Sequence, residues 1–236
     1  MSLYVNKILL MVSLIILCSV THASLITNGS FEQLDSSSYG KVYNTNLNDY
    51  EHKDRVWDVF IALPGWRTTY GNGIELQKDV VTNSQDGSHH VELDSHMSGG
   101  SNSVMTQSLD SLTIGAEYLL EFYYKPRTNN TDDNGIHVYW YDTAIDFDFN
   151  MQAVLTADST KSLTIDWTLE SVSLIAQSTS MDLSFSAFGR QNTLGGLVDN
   201  ISLEQTTSVP EPSTIAMFFA AGFGMLFIRR RHRINS

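Results

Sequence analysis

Alternation with a period of two is the feature that most constrains this chain. In Ser180-Met181-Asp182-Leu183-Ser184-Phe185-Ser186 every second residue is apolar. A strand turns successive side chains to opposite faces, so Met181, Leu183 and Phe185 are expected inside, with Ser180, Asp182, Ser184 and Ser186 facing solvent. The run 118–124 puts Leu120, Phe122 and Tyr124 on one face. The run 136–141 puts Ile136, Val138 and Trp140 on one face and His137, Tyr139 and Tyr141 on the other. Further strands are expected over 56–62, 73–76, 90–93, 104–109, 153–155, 168–176 and 196–203, separated by clusters of Gly, Asn, Asp and Ser. Residues 129–135 read as a turn-rich loop between two strong strands. With no long amphipathic helix between them, about ten short strands predict an all-β chain folded as a two-sheet β-sandwich.

Both ends of the chain depart from this pattern. Lys7 precedes an apolar run over residues 8–20, and Thr21-His22-Ala23 supplies small residues before a cut. These are the parts of a secretory signal peptide. At the other end, Val209-Pro210-Glu211-Pro212-Ser213 leads into an apolar segment over residues 214–228, closed by Arg229, Arg230, Arg231 and Arg233. Fifteen residues span about 22 Å as a helix, short of the roughly 20 residues a bilayer core needs. Terminal arginines nevertheless suit a membrane helix better than a buried one, because they can snorkel and hold that end on the cytoplasmic face. The expected organisation is a signal peptide (1–23), a β-sandwich domain (24–205), a linker with the Pro-Glu-Pro motif (206–213), a transmembrane segment (214–228) and a basic cytoplasmic tail (229–236).

Charge and cysteine usage exclude several function classes. The chain carries 14 basic and 26 acidic residues, net -12. Residues 24–208 hold nine basic and 25 acidic residues, net -16. A nucleic-acid binder needs a basic footprint, which this domain lacks. The single cysteine, Cys18, lies inside the first apolar run. Once that run is removed, disulfides, thiolate metal sites and cysteine nucleophiles are excluded.

The C-terminal order of Pro-Glu-Pro, short apolar segment and arginine cluster resembles the PEP-CTERM sorting signal of exopolysaccharide-producing Gram-negative bacteria. That resemblance implies processing by an exosortase, a transient membrane anchor, and a final place at the cell surface or in the extracellular matrix. The domain has its own resemblance. Asn28-Gly29-Ser30-Phe31-Glu32, Leu63-Pro64-Gly65-Trp66, Gly73-Ile74-Glu75-Leu76, residues 86–94, Gly115-Ala116-Glu117-Tyr118 and Leu197-Val198-Asp199-Asn200-Ile201-Ser202-Leu203 follow one another. In this order they resemble the jelly-roll, galactose-binding-like domains, in particular carbohydrate-binding-module-like and DUF642-like domains of secreted proteins. The long polar stretch 37–53 and the two histidines after Ser88 depart from that pattern.

The resemblance implies a structural calcium where the first strand meets the last. Glu32 and Asp199 would be its acidic ligands, helped by backbone carbonyls near Asn28 and Asn200, since calcium takes six to eight oxygens. Read from the residues alone, the same Asx-rich ends are also plain turn formers. His89, His90, Glu92, Asp94 and His96 form the densest ligand cluster, with His90, Glu92, Asp94 and His96 on one strand face. Imidazole suits zinc and copper; the plainer reading is a wet strand face or one wall of a groove.

No motif carries catalysis. Gly-x-Ser-x-Gly, His-Glu-x-x-His and Walker-type loops are absent from the sequence, and nothing in it sets a separation between Glu92 and Glu121 as a glycosidase pair. Aromatic residues are the better hint. Tyr139 and Tyr141 fall opposite the apolar face of their strand, and Trp66 follows Pro64-Gly65 in an expected loop. Aromatic platforms flanked by Asp, Asn and Gln suit sugar rings, although each tryptophan also fits a core. The reading is an exported, noncatalytic protein that binds or organises extracellular polysaccharide through Tyr139, Tyr141 and Trp66, neutral glycan before acidic. An adhesin-like module contacting protein is the alternative, and a secreted glycan-active enzyme comes third.

Overall fold

The computed structural model describes residues 23–35, 38–40, 47–96, 102–158 and 166–206. The signal segment with Cys18, the motif Val209 to Ser213, the apolar segment 214–228 and Arg229, Arg230, Arg231 and Arg233 lie outside the described residues. The chain divides into two compact units, 1–205 and 206–236, and all described residues except Thr206 belong to the first.

Twelve strands run in order among the described residues: β1 Tyr39–Gly40, β2 Val56–Leu63, β3 Trp66–Tyr70, β4 Ile74–Lys78, β5 His89–Glu92, β6 Val104–Leu109, β7 Glu117–Lys125, β8 Gly135–Asp142, β9 Leu155–Ala157, β10 Thr168–Ile175, β11 Met181–Phe188 and β12 Leu197–Gln205. Every pairing is antiparallel. One layer runs β10-β7-β12-β5-β4-β2, with β1 also paired to β2, and the other β3-β6-β11-β8-β9. The β2–β3 hairpin joins them through only Ala62↔Arg67 and Leu63↔Trp66, so it forms the corner where one layer passes into the other. This is the expected all-β sandwich, and all ten anticipated strands are present with ends shifted by at most two residues.

The inner faces meet in one apolar core. Phe122 of β7 packs edge-on against Phe185 of β11 at 5.1 Å, which ties the two layers at their centre. Leu120, Phe122 and Tyr124 of β7 and Met181, Leu183 and Phe185 of β11 are all buried, as alternation requires. Truncating a buried phenylalanine of this kind costs about 3–5 kcal/mol. The opening segment runs beside the last strand: Leu25 N–H donates to the Leu203 carbonyl at 2.8 Å, and Ile201 N–H to that of Gly29 at 3.0 Å.

Three local readings change. Residues 66–70 form β3 rather than a loop, because Pro64-Gly65 closes a tight hairpin and the chain re-enters a sheet at once. The 129–135 loop contains a one-turn helix, Thr131–Asn134, capped by the Asn130 side chain on the Asp132 N–H at 3.1 Å. The outer residues of β11 are not wet: Asp182, Ser184 and Ser186 are buried. Asp182 takes the Arg67 guanidinium at 2.8 Å and the Ser108 hydroxyl at 2.6 Å, and the Ser184 hydroxyl pairs with those of Thr106 and Tyr141 at 2.7 and 2.9 Å. Polar side chains tolerate such burial when their hydrogen bonds are made.

Candidate functional site

A cleft of about 460 Å³ opens on the outside of the second layer. Its lining comes from the end of β3 (Tyr70) with the turn Gly71-Asn72, from Asn102, from β8 (His137, Tyr139), from the loop after β8 (Phe149), and from the end of β11 with its following loop (Ser186 to Gly189, Gln191). None of these lining residues is Asp, Glu, Lys or Arg.

Local hydrogen bonding explains why aromatic rings gather here. The Asp142 side chain caps the start of the loop through the Ala144 N–H at 2.8 Å, and Asp148 turns its end through the Asn150 N–H at 2.8 Å. These two Asx turns bring Phe147 back over the sheet, its ring 5.1 Å from Tyr139 and 6.1 Å from Tyr141. Phe149 stands 5.0 Å from Phe147 and edge-on to Tyr70 at 4.8 Å. Tyr70 and Phe149 are 55% and 49% exposed, so they present ring surface to solvent. Phe188 lies flat on His137 at 3.8 Å, over Gly135, where a Cβ would lie 2.3 Å from the ring. Burial lowers the pKa of His137 against the pull of Asp158, which favours a neutral imidazole within 3.1 Å of the Tyr139 hydroxyl.

A second hollow of about 430 Å³ shares Phe188 and Gly189 and adds Thr131, Asp132, Asp158 and Arg190. Buried acids of other elements hold the 189–195 segment between them. Asn192 and Leu194 N–H donate to Asp94 at 3.1 and 3.0 Å, the Asn192 amide donates to Asp133 at 3.1 Å, and Gly195 N–H donates to Glu92 at 2.5 Å. Uncharged rings beside amide and hydroxyl groups can stack on the apolar faces of a polyol and bond its hydroxyls. With no carboxylate in its lining, this cleft holds no acid pair of the kind glycoside hydrolysis uses.

The anticipated sugar contacts fare unequally. Trp66 is a core residue, not a contact: it is 2% exposed, packs on Phe31 and Phe185 at 5.9 and 6.0 Å, and donates its indole N–H to the Asn28 carbonyl at 3.2 Å. Tyr139 and Tyr141 lie on the expected face, but Phe147 covers them and they are 3% and 8% exposed. Tyr139 lines the cleft floor; the Tyr141 hydroxyl is taken by Ser184. Tyr70 and Phe149 are the exposed rings. Their sequence signal is thin: Phe147-Asp148-Phe149 is an apolar pair in an acidic stretch that otherwise reads as solvated loop.

Glu32 and Asp199 do converge, on the two ends of one turn. Asp199 Oδ2 accepts the Gln85 and Asp86 N–H groups at 2.7 and 3.0 Å, and Oδ1 that of Asn200 at 2.7 Å. Glu32 Oε1 accepts Ser88 and His89 N–H at 2.8 and 2.7 Å, while Oε2 meets the Ser88 hydroxyl at 3.2 Å and His89 Nδ1 at 2.9 Å. Gly87 between them has φ +65°, and a Cβ there would lie 2.4 Å from the Glu32 carboxyl carbon. Burial raises the Asp199 carboxyl to about 7 against those three N–H groups. Burial also works to raise Glu32, but the His89 ring and the turn N–H groups outweigh it and hold its pKa down. Each Glu32 oxygen accepts two donors, whereas Asp199 Oδ2 accepts two and Oδ1 one. Asn28 and Asn200 both adopt positive φ, +55° and +48°. The Asn28 side chain bridges Gln33 and Pro64 backbone, and the Asn200 amide donates to Gln85 Oε1 at 2.8 Å.

The histidine–acid face is buried, not wet. His90, Glu92 and Asp94 are 0% exposed, with His96 half-buried. Gln77 Nε2 donates to Glu75 at 2.9 Å and to Glu92 at 2.6 Å, Arg127 pairs with Glu92, and His90 meets Ser84 Oγ at 2.9 Å beneath Trp167. Burial, with the Glu75 charge added, raises Glu92 well above the carboxylate range, and burial raises Glu75. Burial, then electrostatic interaction with His89, Lys125 and Arg127, lowers His90 to about 3. Among the described residues no group of three or more His, Cys, Asp or Glu is arranged to hold a metal ion, and no helix is long and apolar enough to cross a membrane.

Comparison with known proteins shows a PEP-CTERM protein-sorting motif over residues 208–231. A curated relative, the multifunctional-autoprocessing repeats-in-toxin of Vibrio cholerae serotype O1, is 24% identical over 199 residues, which are 76% of this chain and 4% of that protein. Among solved structures, TmCBM61 in complex with beta-1,4-galactotriose matches 59% of this chain and 88% of its own, at 17% identity and a TM-score of 0.41. The K2 cleaved adhesin domain of Lys-gingipain matches 62% and 92%, at 14% identity and 0.43.

Proposed function

We propose that this chain is an exported, noncatalytic surface or matrix protein whose cleft binds neutral polysaccharide. One observation carries the reading: a domain of net -16 keeps an uncharged aromatic cleft. Acidic glycans are repelled by such a domain unless cations bridge them, whereas a neutral glycan needs only ring surface and hydroxyl partners. Tyr70 and Phe149 are the exposed rings; Asn72 and Gln191 are the polar partners at the rim. The sorting motif supports export, exosortase processing and a Gram-negative surface or matrix destination.

Retention on insoluble neutral and acidic glycans, compared with Tyr70→Ala and Phe149→Ala, tests the site. Losing one exposed ring contact of about 1–2 kcal/mol weakens binding roughly 5- to 30-fold. Parent-like retention by both variants sinks the cleft, and no retention on any glycan favours the adhesin-like alternative. For sorting, replacing Pro210, Glu211 and Pro212 with Ala is expected to leave the precursor in the membrane fraction of a host with the matching exosortase. Unchanged size and release there would count against processing.

A further inference from the structure

Behind the cleft wall at Gly189, two buried oxygens lack partners. Asp94 and Asn102 face each other as an antiparallel pair. The Ser103 N–H donates to the Leu93 carbonyl at 2.7 Å, the bond that flanks a narrow pair whose side chains lie close on one side of the ribbon. Asp94 is 0% exposed, and its Oδ2 takes the Asn192 and Leu194 N–H groups. Asp94 Oδ1 and Asn102 Oδ1, both buried, accept no hydrogen bond among the described residues. An orphaned buried acceptor costs about 1–3 kcal/mol, more when charged.

Turning the Asn102 amide over does not help. Its Nδ2 donates to the Gly189 carbonyl at 3.2 Å, and the reversed amide would set oxygen against oxygen there. Asp94, Glu92 and Glu75 are all buried, and among the described ion pairs this cluster meets Arg127, through Glu92. A buried polar group costs free energy unless a partner satisfies it.

We propose that Asp94 Oδ1 and Asn102 Oδ1 hold a hard divalent cation of the calcium class, with water completing its shell. The ion ties the β-ribbon to the 189–194 segment and so braces the cleft wall. It is separate from the Glu32–Asp199 turn. One carboxylate and one amide oxygen make a low-charge ligand set, so the dissociation constant falls near the extracellular range of about 10⁻⁴–10⁻³ M.

The test is a crystal of the mature chain in about 10 mM calcium, above that range, measured at a wavelength where calcium scatters anomalously. An anomalous peak about 2.3–2.6 Å from both oxygens is expected. A bridging water without anomalous signal overturns the proposal, since one water could donate to both acceptors; so does density showing nothing there. Calcium titration by calorimetry gives a second readout. Asn102→Leu and Asp94→Asn are each expected to weaken one binding step at least tenfold, and Asp199→Ala to leave that step intact. Asn102 is the less buried of the pair, so its variant tests the site even if Asp94→Asn fails to fold. A calcium response unchanged in Asn102→Leu overturns the proposal.

Discussion

Asp199 and His90 are buried groups shifted in opposite senses, so their variants should answer pH in opposite directions. Asp199 rises from 3.8 to about 7, chiefly by burial. The folded state therefore holds a proton that the unfolded chain has released. Its contribution is fully present below pH 3.8 and is lost as pH rises through 7. His90 falls from 6.5 to about 3. Its contribution is present above pH 6.5 and is lost as pH falls toward 3, because the unfolded chain takes a proton the folded one refuses. At about 1.36 kcal/mol per pH unit between the free and folded values, the ceiling is roughly 4–5 kcal/mol for either group. For a domain of this size that is on the order of 10 °C in melting midpoint. The assay is urea unfolding followed by tryptophan fluorescence at several pH values between 4 and 8, at fixed ionic strength. Wild type, Asp199→Asn and His90→Gln are compared. Glu75 and Glu92 titrate in all three, so their contributions largely cancel in the differences. Asp199→Asn loses an acceptor for the turn N–H groups at every pH, a constant cost of about 1–3 kcal/mol. Relative to wild type its stability should climb with pH, and that of His90→Gln should climb as pH falls. Two flat differences, or two of the same slope, would refute the burial argument.

The remaining predictions concern packing, loop order and calcium. Trp66→Ala should cost about 3–5 kcal/mol in denaturant unfolding, as for a core aromatic, while Tyr70→Ala should stay within about 0.5 kcal/mol, as for a surface change. Loss of glycan retention by Trp66→Ala at unchanged stability would reverse the core assignment. Asn134 accepts the Arg127 and Thr128 N–H groups at 2.9 Å each and donates to the Thr128 and Asn130 carbonyls at 2.8 and 2.9 Å. Asn134→Ala should therefore speed amide exchange at Arg127 and Thr128, and parent-like protection there would show the loop ordered by something else. We propose that calcium also stabilises the fold through Asp199 at the 84–89 turn. At one hundred times its dissociation constant it should add about 2.7 kcal/mol, with magnesium at equal ionic strength doing less. A response that survives Asp199→Ala undiminished would separate that carboxylate from the effect.

Strand identity was legible because alternation is a local signal. Leu120, Phe122, Met181, Leu183 and Phe185 reach the core that their spacing assigns them. Which outward face stays wet was not legible, because that depends on what later chain lays over it. Tyr139 and Tyr141 stand on the face the alternation gives, yet Phe147 closes over them through two Asx turns, and nothing in residues 136–141 announces it. His90, Glu92 and Asp94 show the same ambiguity. A polar strand face reads alike whether water or Gln77, Arg127 and the 192–195 segment supplies its partners, and those partners lie far off in sequence.

Trp66 and the cleft state this limit in its sharpest form. An aromatic after Pro-Gly can be a platform on a loop or the first inward residue of a strand. The difference is one hairpin closure, Leu63↔Trp66, which places the indole on Phe31 and Phe185. Tyr70, Asn102, His137, Phe149 and Phe188 come from five separate segments, so no spacing marks them as one surface. Composition hides the cleft as well, since acidity averaged over the domain conceals a lining that excludes formal charge. Polar groups sealed inside a protein cost free energy unless paired, and Asp94 Oδ2 and Glu92 Oε1 find their donors in the distant 192–195 segment. Bonds to those acids hold Asn192, Leu194 and Gly195, which follow directly on the cleft-lining Gly189 and Gln191, so the buried acids and the uncharged surface share one loop. A change at Asp94, which does not line the cleft, is for that reason expected to be felt by whatever the cleft binds.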